Sequence, residues 1–115
     1  MKVNGPDEVL DFTYVDDAAE GIVQASLCEN TKNQLYNITR SADKFWTLKE
    51  AAELAIKIVG KGDLIVGPRD LSFPKRGRLS IEKAINDFKY DPKINVEEGF
   101  KKYYEWLINS PYYNV

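Results

Sequence analysis

Apolar positions recur along this chain at helical spacing in four places. Ala19, Ile22, Val23 and Ser26 or Leu27 mark one face of a first helix, from Asp17 to about Glu29. Leu48, Ala51, Ala52, Ala55, Ile58 and Val59 mark a second. Ile81 to Phe88 is a short third. Val96, Phe100, Tyr103 and Leu107 line a fourth that runs to about Asn109, and Trp106 and Ile108 broaden its apolar face, which predicts cover on more than one side. Between the helices, Phe12 to Val15, Leu35 to Thr39 and Leu64 to Val66 are rich in aromatic and β-branched residues and read as short strands, the last of them a buried one.

Polar residues punctuate these stretches. Asp17 with Glu20, Thr47 with Glu50 and Asn95 with Glu98 each have capping-box spacing. Gly60 stands where a left-handed residue closes the second helix. Ser80 can cap the third, with Glu82 near its positive end. Ser110-Pro111 ends the last. Met1 to Val9 holds the turn signal Asn4-Gly5-Pro6-Asp7 and reads as a loop. Asn30 to Asn33, Arg40 to Lys44 and Arg69 to Arg78 are further loops, the last of them rich in positive charge.

Composition narrows the possibilities. A length of 115 residues makes one modest domain or a piece of a larger one. A net charge of −2 argues against a general nucleic-acid binder. No apolar run reaches membrane-spanning length and no signal peptide opens the chain, so a soluble, cytoplasmic protein without a membrane partner is expected. One cysteine and no histidine rule out an intramolecular disulfide, Cys/His zinc sites and any Ser-His-Asp or Cys-His mechanism within the chain. Cys28, at a helix end, reads as a small packing residue.

The densest candidate for chemistry is Lys75-Arg76-Gly77-Arg78, three cations in four residues on a loop hinged by Pro74 and Gly77. Arginine's planar fork suits a pyrophosphate. Composition alone favours a solvated basic loop. Tyr103, Tyr104, Trp106, Tyr112 and Tyr113 could stack on a sugar or base, but their helical spacing near a terminus favours packing. Asp16 and Asp17 form a carboxylate pair on paper, with helix capping the more economical role for Asp17.

The string from Leu10 to Ile22 resembles a signature in the C-terminal half of the extended short-chain dehydrogenase/reductase family, which contains NAD-dependent epimerases and dehydratases of nucleotide sugars. Leu35-Tyr36-Asn37-Ile38-Thr39-Arg40, Phe73-Pro74-Lys75-Arg76-Gly77, and Tyr90-Asp91-Pro92-Lys93 with Val96-Glu97-Glu98-Gly99 resemble it in the same order. The resemblance implies an α/β fold: the C-terminal fragment of an extended Rossmann-type enzyme, with about four helices and short strands. Residues 1–115 would be its substrate-binding portion, with the N-terminal NAD-binding domain absent. In that family the first helix and the Leu35–Thr39 strand pack on the dinucleotide-binding sheet.

The resemblance also implies a division of labour. NAD would serve the full-length parent, and no cofactor is expected on this chain alone. The family's catalytic tyrosine is followed four residues later by a lysine that lowers its pKa, and no such pair occurs here. Its glycine-rich turn is missing too, since Gly60 to Gly67 has the wrong spacing and follows a helix. Catalytic residues are therefore none, and the chain is expected to be inactive on its own. Arg76, four residues before Ser80-Ile81-Glu82-Lys83-Ala84, matches an arginine that binds the nucleotide-sugar diphosphate, with Lys75 and Arg78 as weaker matches. Leu10 stands where many relatives carry a second phosphate-binding arginine, Ser80 replaces an aspartate, and the loop at Arg40 to Lys44 lacks the family's glycine. Two other readings stay open: an NADP-dependent reductase of the same superfamily, and a non-catalytic binding or interaction module that keeps the fold. With its sheet partner missing, the chain is expected to be a homodimer or otherwise self-associated.

Overall fold

The computed structural model describes residues 1–42 and 44–111. Among these, four helices carry the fold: α1 Val15–Leu27, α2 Leu48–Val59, α3 Glu82–Phe88 and α4 Val96–Asn109. Two small sheets join them. β1 Lys2–Asn4 runs parallel to β4 Ile65–Gly67, with Val3 opposite Val66, and β2 Val9–Leu10 runs antiparallel to β3 Trp46–Thr47. The α/β class and the four-helix count agree with the sequence pattern.

Local signals were decisive at α2. Thr47 Oγ1 accepts the Glu50 N–H at 3.1 Å while the Glu50 carboxylate accepts the Thr47 N–H at 2.9 Å, a complete capping box. Gly60 closes the helix at φ 78° and donates to Ile56. Ala51 and Ala52 are buried, and the small residues let α2 approach α4 closely. Asn95 caps α4 through a 2.9 Å bond from the Glu98 N–H. Ser80 Oγ accepts the Glu82 N–H at 3.3 Å, although the residue that enters α3 is Ile81.

Several expectations are corrected. Phe12 to Tyr14 form no strand; α1 begins at Val15 and Tyr14 stands at its cap without a side-chain bond. These aromatics pack on α4 instead: the Phe12 ring meets Phe100 edge-on at 6.1 Å, and a Cβ on Gly99 would lie 3.1 Å from the Tyr14 ring. Asp17 therefore does not cap α1. It lies buried within the first turns and serves a distant backbone. Lys2 to Asn4, read as loop, is a strand because Ile65–Gly67 lies alongside as its parallel ladder partner. That partner, expected to be buried, exposes Ile65 and Val66. Residues 35–38 alternate in exposure as a strand would, yet residues 35–39 form no ladder among the described residues. Trp106 and Ile108 are exposed, so α4 is covered on one side only in this chain.

The face of α1 is inverted relative to its hydrophobicity. Asp17 and Gly21 are its buried positions, with Ala18, Gln24 and Ala25 half-buried beside them. Ile22, Val23 and Leu27, the apolar stripe read from the sequence, point outward. The close approach has a cause: a Cβ on Gly21 would lie 2.6 Å from the Tyr90 ring and 2.8 Å from Ile38. Around that contact Ile81, Ala84, Phe88 and Tyr90 form the principal core, with Ala25, Cys28, Tyr36 and Ile38 against it. Cys28 packs there as expected and its thiol lies 3.4 Å from the Asp87 carbonyl oxygen.

Candidate functional site

The loop from Arg69 to Arg78 distributes its cations rather than concentrating them. Arg76 lines a hollow of about 150 Å³ floored by Leu10, Leu48 and Phe73 and edged by Glu8 and Arg69. Arg78 lines a different one, of about 600 Å³, with Arg40, Ser41, Ser80 and Tyr90. Lys75 is exposed and lines neither. Gly77 thus separates two arginines that serve opposite sides of the loop.

Chain geometry explains the first hollow. β1 and β4 end side by side, Asn4 opposite Gly67, and each strand runs into a Gly-Pro step. Gly5, at φ 69°, turns the chain back so that Glu8 N–H donates to Gly5 at 3.0 Å. The Glu8 carbonyl then accepts the Leu48 N–H at 2.8 Å, which fixes this turn to the start of α2. Glu8 and Arg69 are brought into an ion pair, and the Arg69 Nη2 donates to the Phe73 carbonyl at 2.7 Å. Beside them, the Ser72 hydroxyl and N–H hold Asp70 below the usual carboxylate range.

In the second hollow, Ser41 does the work of a missing glycine. It adopts φ 50°, is buried, and donates its N–H to the Asp11 carboxylate at 3.0 Å. Its hydroxyl donates to the Leu79 carbonyl at 2.7 Å and receives Arg78 Nε at 2.9 Å. Arg40 Nη1 donates to the Pro92 carbonyl at 3.1 Å. The Tyr90 hydroxyl, buried, has no hydrogen-bond partner among the described residues, and burial pushes its pKa up to about 12. Two cations here are already engaged with the protein's own oxygens.

Other candidates separate cleanly. Asp16 is exposed and Asp17 buried, so they form no carboxylate pair. Tyr103 and Trp106 stack on each other at 5.7 Å while remaining exposed, and Tyr104 is half-buried. Tyr112 and Tyr113 lie outside the described residues. An apolar groove of about 370 Å³ between Phe12, Tyr14, Phe100 and Tyr103 carries no charged side chain to orient a ligand. No described helix opens on a glycine-rich turn after a strand, so these residues offer no dinucleotide cradle. No group of acidic or cysteine side chains among the described residues can hold a metal ion, and no described helix is long and apolar enough to cross a membrane. Arg69, Glu8 and Ser41 had no motif of their own; the only signal was the pair of Gly-Pro steps at 5–6 and 67–68.

No protein-family model matches the chain. It is 25% identical to UDP-glucuronate 4-epimerase 1 of Arabidopsis thaliana over 97% of its own length and 29% of the relative's. Among solved structures, the epimerase Mth375 of Methanothermobacter thermautotrophicus superposes with a TM-score of 0.86 at 21% identity, covering 93% of this chain and 32% of that one. The UDP-glucuronic acid 4-epimerase of Bacillus cereus, in complex with UDP-glucuronic acid and NAD, gives 0.79 at 24%, covering 91% and 34%. The chain thus spans about a third of the length of each.

Proposed function

We propose a function from one premise: the chain belongs to the extended short-chain dehydrogenase/reductase family, as the C-terminal part of its NAD-dependent epimerase/dehydratase fold. It is the nucleotide-sugar-binding part of such an enzyme, and Arg76 grips the diphosphate. The observation that carries this reading is the hollow under Arg76. At about 150 Å³ it is below the roughly 300–1,000 Å³ of a whole small-molecule site, so it suits one portion of a ligand. Two guanidinium groups and an apolar floor select an anionic portion. Lys75 and Arg78 add positive potential around it, Arg78 from the neighbouring hollow.

The reaction itself needs an NAD-binding portion, docked on the outer face of α1 and on residues 35–39. There the sugar would be oxidised transiently by hydride transfer and then rearranged. Alone the chain binds the nucleotide diphosphate without turning it over, in the cytoplasm. Leu10 favours a second reading, an NADP-dependent reductase of the same superfamily acting on a non-nucleotide substrate, because it replaces a cation with an apolar side chain.

The test is a calorimetric titration of uridine diphosphate into wild type, Arg76→Ala and Arg76→Lys at fixed ionic strength. Loss of a charge-assisted hydrogen bond removes roughly 1.5–3 kcal/mol, about tenfold to hundredfold in affinity. Lysine recovers only part, since it keeps the charge and loses the fork. Equal affinities in all three would return the loop to a solvated basic turn. NAD titrated into the same samples should give no low-micromolar binding, and its appearance would contradict the assignment.

A further inference from the structure

We propose that Ser41 is the latch of a strap: its hydroxyl holds down the C-terminal end of the 69–78 loop, and its release lets that loop swing out. The inference goes beyond the function proposed above and does not depend on what the loop binds. The strap is tied at both ends and stands clear of the protein between them. At one end Arg69 pairs with Glu8, and its Nη2 donates to the Phe73 carbonyl. At the other, the Ser41 hydroxyl donates to the Leu79 carbonyl at 2.7 Å and accepts Arg78 Nε at 2.9 Å. Residues 71–80 are exposed throughout, and a Cβ on Gly77 would meet nothing within 4 Å.

Ser41 can act on the strap because its own place is fixed by the rest of the molecule. Its N–H donates to the Asp11 carboxylate at 3.0 Å, and the Arg40 N–H donates to Thr13 Oγ1 at 2.9 Å. The Arg40 guanidinium donates to the Pro92 carbonyl at 3.1 Å. Two adjacent residues thus join the approach to α1, the segment before α4 and the end of the strap.

The backbone at Ser41 marks the hydroxyl as the group with a task. Its φ of 50° is left-handed, where a Cβ is disfavoured and glycine is the unstrained residue. What serine adds over glycine is the hydroxyl, and both of its bonds go to the strap. Ser41 is buried, so water competes little for them. A hydroxyl-to-carbonyl bond is neutral and modest in net strength, so this end can open without unfolding the chain. Opening reshapes the smaller hollow: Phe73, Pro74 and Arg76 of its lining belong to the strap, whereas Leu10 and Leu48 do not.

The experiment is limited chymotrypsin digestion of the whole chain as wild type, Ser41→Gly, Ser41→Ala and Arg78→Ala. A serine protease must take the scissile carbonyl oxygen into its oxyanion hole, and at Leu79 the Ser41 hydroxyl occupies that oxygen. Leu71–Ser72, the same dipeptide on the same strap, is the internal reference, with Leu71 82% exposed. Mass spectrometry reads initial cleavage after Leu79 relative to Leu71, and circular dichroism reads the urea midpoint. Ser41→Gly should raise the ratio about two- to tenfold, the scale of one hydrogen bond. Its midpoint should stay near wild type, because glycine suits the left-handed backbone. Ser41→Ala should raise the ratio equally and lower the midpoint, since it keeps the Cβ and loses the bonds. Arg78→Ala should raise the ratio less, with the Leu79 bond still in place. A Ser41→Gly ratio equal to wild type overturns the latch. So does a ratio that rises in that variant only together with a fallen midpoint, because general loosening would then explain it. Should Ser41→Gly fail to fold, Arg78→Ala, at an exposed position, carries the test, and an unchanged ratio there overturns the proposal.

Discussion

The carboxylate of Asp17 and the backbone N–H of Ile94 meet at 2.9 Å, and the same carboxylate receives the Lys93 N–H at 3.0 Å. One buried side chain on the first helix thus ties down the segment that leads into the last. The tie matters for the site, because Pro92, two residues before Ile94, is where Arg40 anchors beside the second hollow.

Replacing Asp17 by alanine should therefore cost about 1.5–3 kcal/mol, since two backbone donors lose a charged acceptor. Asp17→Asn keeps one acceptor oxygen and should cost less. Urea denaturation of the three proteins measures this, and equal midpoints would show that the tie carries no weight.

Gly21 sets two effects against each other. Alanine is favoured over glycine by about 1 kcal/mol in a helix interior. Its methyl would lie 2.6 Å from the Tyr90 ring and 2.8 Å from Ile38, inside the principal core. Overpacking of this kind costs typically 1–3 kcal/mol, so Gly21→Ala should destabilise despite its better propensity. Gly99→Ala is the comparison: its nearest neighbour would be the Tyr14 ring at 3.1 Å, a milder clash, so its net effect should be small. A melting temperature for Gly21→Ala at or above wild type would refute the steric account.

Tyr36 gives a pH signature. Its hydroxyl donates to Asp87 Oδ2 at 2.6 Å, and this bond, with burial and the Asp87 charge, pushes the phenol up from 10.0 to about 12. The proton is held more tightly in the folded state than in the unfolded one. Its contribution is therefore complete below pH 10 and is lost as pH rises through 12. The stability difference between wild type and Tyr36→Phe should stay constant from neutral pH to about 10 and shrink above it. Absorbance titration should show one fewer late-ionising tyrosine in the variant, and identical curves would contradict the assignment.

What the sequence disclosed depended on the reach of each interaction. Thr47, Glu50 and Gly60 complete their bonds within one helix end, so their roles could be read from spacing. Asp17 has the same spacing to Glu20, but a carboxylate accepts equally well from a distant N–H, and Lys93 supplied one. The Leu35–Ile38 alternation reports which side chains face inward and says nothing of a ladder, which needs a second strand. Arg76 was accessible through motif resemblance. Arg69 was not, because its counter-ion Glu8 and its hollow exist only once β1 lies beside β4. The stripe on α1 was legible from its spacing, while the small residues on the opposite face, which make the close contact with the core, carried no periodic signal.

That stripe supports the last prediction. Ile22, Val23 and Leu27 stand 61%, 54% and 81% exposed, and Leu35, on the neighbouring unpaired segment, 90%. An apolar face beside an unpaired extended segment is a template for a second copy. Full burial of such a side chain gains about 1.5–3 kcal/mol, while association costs an estimated 4–15 kcal/mol. Four partly exposed residues on each copy therefore exceed that cost by a modest margin, which predicts micromolar rather than nanomolar self-association. Sedimentation equilibrium over a hundredfold range of concentration should show the apparent mass rising. Ile22→Glu with Leu27→Glu should keep it at the monomer value without changing the helical circular dichroism, because neither side chain supports the core. A wild-type chain that stays monomeric at high concentration would mean that this face is not used between copies. A double variant that still associates would move the contact elsewhere, with the exposed Tyr103–Trp106 stack the next place to probe.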